Sequence, residues 1–209
     1  AISFDWTGGK PATDLICPMY PQIDKLVAWA RDRKSSDQRP LIKCEYSHAK
    51  GNSNGSLADY FDAFERHHGL QGGFIWEWVD HGIRRRDAQG REYWAYGGDF
   101  GDTPSDKNFV CDGLVWPDRR AHPGLYEYKH LAQPVRVEVL DARRGRFRVQ
   151  NRRWFTGLDD LRGTWELLVD GVVKAQGALP PLRTAPRESQ TVALKYRPLT
   201  IAAASEVHV

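Results

Sequence analysis

Short apolar runs alternate with amphipathic segments over the first 128 residues of the chain. Residues 21–31 and 57–67 place their apolar side chains at the i, i+3, i+4 spacing of a helix that buries one face. Four further runs have the pattern of buried strands, because each ends at glycine, proline or polar residues. These runs lie at residues 2–6, 14–17, 41–46 and 74–79.

Strands that alternate with helices predict a parallel sheet joined by right-handed crossovers. Two architectures fit this order, a doubly wound sheet and part of a (β/α)8 barrel. A complete barrel requires about 250 residues. Residues 1–128 can therefore hold at most half of one.

The pattern changes in residues 129–209, where apolar residues alternate with polar ones. This period of two indicates half-buried antiparallel strands. The pair Asp170-Gly171 stands between two such runs and is a strong signal for a two-residue hairpin. We therefore expect α/β architecture in residues 1–128, followed by an immunoglobulin-like β-sandwich in residues 129–209.

Composition and charge exclude several classes of protein. Of the 209 residues, 41% are hydrophobic and 27% are charged, and no run approaches the roughly 20 apolar residues that a membrane span needs. Thirty basic residues against 27 acidic ones leave a surplus too small to indicate nucleic acid. Three cysteines are too few for a disulfide framework and favour a reducing compartment. We expect a cytoplasmic protein with no membrane and no nucleic-acid partner.

A cluster of arginines between residues 143 and 153 suggests a basic patch at first sight. Arginines that alternate with Phe147 and Val149 are more simply the solvated face of a strand. The chain also begins without methionine, directly in an apolar run. We therefore expect it to be a piece of a longer protein.

Candidate chemistry lies where the predicted strands end. In α/β barrels the catalytic groups stand at the carboxyl ends of the strands. Glu45 comes directly after the apolar run at residues 41–44 and is followed by tyrosine, histidine and asparagine, which are donors suited to sugar hydroxyls. A surface glutamate after a strand is the alternative interpretation, and strand position alone favours it.

Four long motifs decide between these interpretations: RPLIKCEYSHAKGNSNG, LQGGFIWEWVDHG, YWAYGGDFGDTPSDKNFVCDGLVWPDR and HPGLYEYKH. Together with TDLICPMY upstream, they closely resemble the large bacterial β-galactosidases of glycoside hydrolase family 2. The resemblance covers residues 13–130 almost without gaps. It implies the second half of a (β/α)8 TIM barrel, strands five to eight, followed by that family's sandwich domain.

The resemblance implies a role for each matching residue. Glu45 corresponds to the nucleophile that forms a covalent glycosyl-enzyme in a retaining hydrolase. Tyr20 corresponds to a tyrosine that assists departure of the galactosyl group, and Met19 to a residue lining the galactose pocket. His48 corresponds to a histidine that binds sugar hydroxyls, and Trp76 to the aromatic floor beneath the sugar.

A cation site is also implied by the resemblance. Phe109 and Asp112, in NFVCDG, correspond to a backbone carbonyl and a side-chain oxygen that hold Na⁺ or K⁺ beside the sugar, and Phe109 also borders the substrate. Oxygen ligands suit such hard ions. Asp106 is a further candidate polar contact in this loop. The parent family also uses Mg²⁺, whose ligands have no counterpart in this chain.

One part of the catalytic machinery is missing. A retaining glycosidase needs a second carboxyl group as acid and base, which this family carries in an Asn-Glu pair that occurs nowhere in the sequence. The run at residues 2–6 resembles the fifth barrel strand, so the acid/base belongs to an absent upstream half. Glu77, by strand alternation, is expected to point toward the helices, and Asp80 matches no proton donor.

The preferred interpretation is a β-galactosidase fragment that hydrolyses terminal β-D-galactose, as in lactose, only together with its missing N-terminal half. We expect the parent protein to be a homo-oligomer. The alternative is a noncatalytic sugar-binding or complementation half that needs a separate partner chain. A related hydrolase acting on glucuronides or mannosides is a third possibility, which the galactosidase-like NFVCDGLVWPDR loop disfavours.

Overall fold

A computed structural model describes residues 13–32, 38–196 and 202–209. The chain divides into two compact units, Ala1–Ala132 and Gln133–Val209. The strand predicted at residues 2–6 lies outside the described residues. Within the described ranges, no helix has the length and apolar character needed to cross a membrane.

The first unit is built on parallel pairing. Strand β1 (Leu41–Tyr46) pairs in parallel with β2 (Leu70–Ile75), and helix α2 (Leu57–Arg66) connects them. Helix α1 (Ile23–Asp32) precedes β1. This strand–helix–strand order confirms the predicted parallel crossover, and the predicted strand at residues 41–46 is confirmed with the same bounds.

The strand predicted at residues 14–17 is wrong as a regular strand. This segment runs parallel to β1 but pairs only at Ile16 with Leu41 and at Met19 with Glu45. Pro18 lies between the two bridges and has no N–H to donate to a ladder, so regular pairing cannot continue through it. The segment nevertheless stays beside β1 up to its carboxyl end.

The strand predicted at residues 74–79 also needs correction. Strand β2 starts four residues earlier and ends at Ile75. Gly73 lies within this strand, and a Cβ there would come within 2.7 Å of the Lys43 Cβ. Glycine therefore permits the close approach of β2 to β1. The residues beyond β2 pair with a later segment instead, as Glu77 donates its N–H to the Asp112 carbonyl at 2.8 Å.

The core of this unit lies between its helices and its parallel strands. Each fully buried leucine contributes roughly 1.5–3 kcal/mol to folding, and Leu26 of α1 is only 1% exposed. Tyr46 of β1 makes edge contacts with Tyr60 and Phe64 of α2, which hold this helix on the strand. The buried members of the core are Ile16, Leu26, Leu41, Ala63 and Leu70.

Three further elements of the first unit did not follow from the periodicity. Strands β3 (Ile83–Arg86) and β4 (Glu92–Ala95) form an antiparallel hairpin, and helix α3 (Pro123–Leu131) follows later. All four residues of β3 are exposed, so no alternation of apolar and polar residues predicts this strand. Its local signal is the turn, where the Asp87 carboxylate accepts two backbone N–H groups.

The second unit contains two antiparallel sheets. One has the order β5-β6-β9 and the other β10-β7-β8. The predicted hairpin is confirmed, because Asp170 and Gly171 both adopt the positive φ of a two-residue turn between β7 and β8. The strand bounds are Val135–Asp141 (β5), Arg146–Asn151 (β6), Thr164–Val169 (β7), Val172–Ala178 (β8), Ser189–Ala193 (β9) and Val207–His208 (β10).

The core of the second unit centres on Phe147 and Val149 of β6, with Trp165 of β7 packed against it. The arginines on either side of these residues are exposed, which confirms the solvated strand face. Val137 and Val139 pair with the same two core residues, yet they stay 59% and 65% exposed. They lie on β5, which is an edge strand, beyond the centre of the core.

Lys43 is a charged residue in the core of the first unit, with 0% exposure. Its Nζ donates to the Pro21 carbonyl at 3.1 Å and lies 4.0 Å from the Tyr60 ring centre. Burial lowers the pKa of this ammonium to about 8. Because the pKa is lower in the folded chain than in the unfolded one, Lys43 destabilises the fold below pH 8, and this penalty declines as the pH rises.

We predict that Lys43 makes the free energy of unfolding rise by about 2 kcal/mol between pH 7 and 9.5. The substitution Lys43→Met should remove this rise. Urea unfolding at several pH values measures this difference. Lys129→Met, at an exposed position, is the matched control and should keep the rise. An identical pH profile in the native chain and in Lys43→Met would contradict the assignment.

Candidate active site

Glu45 stands at the carboxyl end of β1, where the pairing with β2 becomes irregular between Lys43 and Tyr46. Leu41, Lys43 and Tyr46 are buried, whereas Glu45 is only half-buried. The irregularity shifts the alternation by one residue. As a result, Glu45 lies on the side of the strand opposite to the buried core residues.

Two of the predicted site residues lie directly beside Glu45. Met19 forms a parallel bridge with it, and Tyr20 donates its backbone N–H to the Glu45 carbonyl at 3.0 Å. Tyr20 has φ of 49°, a left-handed conformation that turns the chain away after this contact. The structure therefore brings Met19, Tyr20 and Glu45 together, as the motifs imply.

The Tyr20 hydroxyl is buried without a hydrogen bond of regular geometry. Burial raises the pKa of this phenol, and the neighbouring carboxylates of Glu45 and Asp112 raise it further. The phenol consequently keeps its proton at neutral pH. A protonated hydroxyl beside a carboxylate can donate to that carboxylate when its charge changes during a reaction.

Asp112 links the remaining predicted residues. The Trp76 indole N–H donates to its Oδ2 at 3.2 Å, and His48 Nε2 lies 3.7 Å from the same oxygen. The His48 ring is also 6.0 Å from the Phe109 ring and 6.3 Å from the Tyr20 ring. These contacts form one continuous cluster from Tyr20 to Asp112.

The exposure of the cluster residues suits a binding surface for a sugar. Trp76 is 38% exposed and Phe109 is 60% exposed, although both are large aromatic residues. Lys50 places its Nζ 3.3 Å from the centre of the Phe109 ring and so covers part of it. Aromatic faces of this kind pack against the apolar face of a pyranose, while imidazole and carboxylate groups bind its hydroxyls.

The residues proposed for a monovalent cation fit that role in part. Asp112 is 1% exposed, and its Oδ1 is buried without a hydrogen-bond partner. A buried carboxylate oxygen without a partner is a suitable ligand for a hard cation. Asp106 is exposed, and its carbonyl accepts the Phe109 N–H in the 3₁₀ turn Lys107–Val110, so its contact there is through the backbone.

Asp80 supports the Asp112 segment rather than lining the cluster. It is buried, its Oδ1 accepts the Gly113 N–H at 2.8 Å, and its Oδ2 lies 2.8 Å from His122 Nε2. The His122 ring in turn stacks on Trp116. A side chain at Gly113 would collide with the backbone of Asp80, so glycine permits this close packing.

Glu77 lies beyond the strand whose alternation was used to predict its direction. Strand alternation ended with β2 at Ile75, so it no longer governs the residues that follow. The Glu77 carboxylate lies beside Asp112, and its Oε1 is 2.7 Å from His81 Nε2. Sequence reasoning missed both contacts, because they depend on the pairing of residues 77–80 with residues 112–115.

A polar cavity of about 560 Å³ adjoins the cluster. Tyr20 and His48 lie in its wall, and Ser47 contributes a hydroxyl that is buried without a partner. Helices α1 and α2 supply further lining residues, including Asp24 and Tyr60. No local motif signals this cavity, because residues from four separate segments form it.

Comparisons with known proteins identify the family of this chain. The family model described as "Glycosyl hydrolases family 2, TIM barrel domain" matches residues 9–137, and the one described as "Beta-galactosidase, domain 4" matches residues 147–209. The chain therefore belongs to glycosyl hydrolase family 2, as its motifs implied.

Curated relatives named β-galactosidase are similar over most of the chain. A β-galactosidase of Aeromonas hydrophila is 44% identical over 90% of this chain and 19% of its own length. A β-galactosidase of Pectobacterium atrosepticum is 41% identical over 94% of the chain and 20% of its own length. "Beta-galactosidase 2" of Enterobacter cloacae is 39% identical over 85% of the chain. The chain thus spans about a fifth of the length of these relatives.

We predict that Asp80→Ala lowers the free energy of unfolding by about 2–3 kcal/mol, because it leaves the Gly113 N–H buried without an acceptor. Urea unfolding gives the change. Asp118→Ala is the matched control, since this carboxylate pairs with the exposed Arg120 and its loss should change stability little. Equal small effects of the two substitutions would refute the supporting role of Asp80.

Proposed function

We propose that this chain carries the nucleophile side of a retaining β-galactosidase. The observation that supports this most is the pairing of Glu45 with Tyr20 at the carboxyl end of a parallel strand. Trp76, His48 and Asp112 form a connected cluster with Tyr20, and this cluster offers an aromatic face and polar groups. The names of the relatives favour galactose as the sugar.

The proposed reaction starts when a Glu45 carboxylate oxygen attacks the anomeric carbon of a β-galactoside. The bond from this carbon to the glycosidic oxygen breaks, and a covalent glycosyl-enzyme forms. Water then attacks the same carbon, and Glu45 leaves as a carboxylate. Two inversions give net retention at the anomeric carbon.

Tyr20 has a specific role in the second step. Its pKa is raised by burial and by the adjacent carboxylates, so its hydroxyl carries a proton throughout. The negative charge on Glu45 disappears when the covalent bond forms and returns when that bond breaks. A hydrogen bond from the phenol stabilises the returning charge and therefore favours release of the galactosyl group.

The reaction also needs a group that protonates the leaving oxygen and later takes the proton of water. Family 2 enzymes carry it in an Asn-Glu pair, and the 209 residues contain no such pair. We propose that a further segment with this carboxyl group completes the site, so that this chain contributes half of a (β/α)8 barrel. The second unit would then be the following sandwich domain, a role supported by the domain 4 match.

Phe109 and Asp112 are proposed to hold Na⁺ or K⁺ beside the sugar, through a backbone carbonyl and a carboxylate oxygen. The bound ion would supply positive charge to a sugar hydroxyl oxygen. The buried Oδ1 of Asp112 supports this role. The Mg²⁺ of the parent family has no proposed ligands among these residues.

A noncatalytic role as a sugar-binding or complementation half is the second candidate. It shares the aromatic and polar cluster but requires no nucleophile. The two candidates differ in their dependence on Glu45. Binding alone would tolerate Glu45→Gln, whereas covalent catalysis would not.

We predict that the chain, co-produced with the N-terminal part of the Aeromonas hydrophila relative, hydrolyses nitrophenyl β-galactoside in preference to the glucuronide and mannoside. Glu45→Gln should lower kcat by about four orders of magnitude or more. Glu127→Gln, an exposed glutamate on α3, is the control and should keep full activity. A preference for glucuronide or mannoside would overturn the substrate assignment.

Chemical rescue separates the nucleophile from a binding role. In Glu45→Ala the cavity left by the carboxylate should admit azide, which attacks the anomeric carbon from the same side and gives α-galactosyl azide. Restored turnover with this product supports Glu45 as the nucleophile. If the reconstituted Glu45→Ala protein turned over at the native rate without azide, Glu45 would not be the nucleophile. Only the binding role of the chain would then remain.

We predict that the chain alone shows no steady turnover of nitrophenyl β-galactoside, because its residues lack the family's acid/base pair. The assay uses purified chain with intact circular dichroism. Steady activity that Glu45→Gln abolishes would show that a group within these 209 residues supplies the proton.

A further inference from the structure

Three groups that can bind a metal lie close together, and one of them, Asp112, also belongs to the proposed sugar site. Glu77, His81 and Asp112 each present one ligand atom, and these atoms all lie within 4.8 Å of one another. Two carboxylates and an imidazole form a ligand set that suits first-row divalent metals. None of the roles proposed above uses Glu77 or His81.

Each of the two carboxylates has a buried oxygen without a hydrogen bond. Asp112 is 1% exposed, and its Oδ1 is without a partner, as is Glu77 Oε1. His81 Nε2 approaches Glu77 Oε1 to 2.7 Å, but the geometry gives this oxygen no hydrogen bond. Buried carboxylate oxygens are costly unless a cation or a donor satisfies them. Ligands of one metal ion are typically separated by about 3 Å, since each lies about 2.1 Å from the ion.

The backbone holds the three residues in place. Glu77 donates its N–H to the Asp112 carbonyl at 2.8 Å, and His81 donates its N–H to the Val110 carbonyl at 2.9 Å. Both bonds join the segment after β2 to the loop that carries Asp112. The ligands are therefore preorganised, and the His81 side chain, which is 49% exposed, leaves a path for an ion to enter from solvent.

This point shares Asp112 with the proposed monovalent cation site but has two further ligands. Asp112 Oδ2 accepts the Trp76 indole N–H and lies near His48, on the side of the sugar cluster. The Glu77 and His81 side chains are additional ligands with no part in the site proposed for Phe109. A divalent ion here would also fix the orientation of the Asp112 carboxylate that Trp76 contacts.

We propose that Glu77, His81 and Asp112 form a binding site for a divalent first-row transition metal, with Mn²⁺, Co²⁺ and Zn²⁺ as the class of ion. This proposal does not depend on the reaction proposed above. The imidazole of His81 selects against Mg²⁺ and Ca²⁺, which prefer ligand sets made of oxygen alone.

The test measures Mn²⁺ binding to the full chain by electron paramagnetic resonance of the free ion, which avoids competition from the three free cysteines. We expect one Mn²⁺ per chain. Glu77→Gln and His81→Ala should each weaken binding by about tenfold or more, because each removes a ligand. His130→Ala, an exposed histidine on α3, is the matched control and should bind as the native chain does.

Two further measurements distinguish the loss of a metal ligand from the loss of the fold. Circular dichroism of each variant excludes loss of fold as the cause of weaker binding. Co²⁺ should give visible absorption bands in the native chain that change in His81→Ala, because an imidazole ligand is lost. Absence of stoichiometric Mn²⁺ binding, or unchanged binding in both ligand variants, would overturn the site.

Discussion

Asp112 is almost completely removed from water in the first unit. Burying a carboxylate is costly unless hydrogen-bond donors or cations surround it. Trp76 and His48 face the Oδ2 of Asp112, and Glu77 and His81 lie close to the same carboxylate. Asp80 holds the next peptide in place through the Gly113 N–H. The position of the Trp76 ring and the position of the candidate cation sites both depend on this one buried carboxylate.

Parallel pairing explains why distant segments supply one site. The carboxyl ends of parallel strands meet at the same edge of a sheet, so Tyr20, Glu45 and Trp76 follow three neighbouring segments and reach a common region. The irregular pairing near the end of β1 places Glu45 on the side away from the core. Lys43 remains on the core side, at a cost in stability that its aromatic neighbours partly offset.

Sequence reasoning predicted most of the elements and the cluster around Glu45. Helices α1 and α2, strand β1 and the Asp170-Gly171 hairpin carry strong local signals, because periodicity and turn residues act within a few positions. The motifs located Tyr20, His48, Trp76 and Asp112, and the structure gathers these residues as a resemblance to a known site implies. Their catalytic roles stay predictions.

Other features depend on pairing that no local pattern contains. The regular alternation of β2 ends before Glu77, and the group that Glu77 forms with His81 and Asp112 appears only when two segments lie side by side. Pro18 interrupted a predicted strand by removing one donor. Val137 and Val139 alternate as core residues do, but the edge position of β5 leaves them mostly exposed.

The central claim is that Glu45 is a positioned nucleophile, and covalent labelling tests it most directly. The chain is incubated with 2-deoxy-2-fluoro-β-D-galactosyl fluoride, whose leaving group departs without a proton donor, and is then analysed by intact mass and peptide mapping. The account predicts one added fluorogalactosyl group at Glu45, with Glu45→Gln unlabelled. Labelling at another carboxylate, or none in a chain reconstituted with an upstream barrel half, would contradict it.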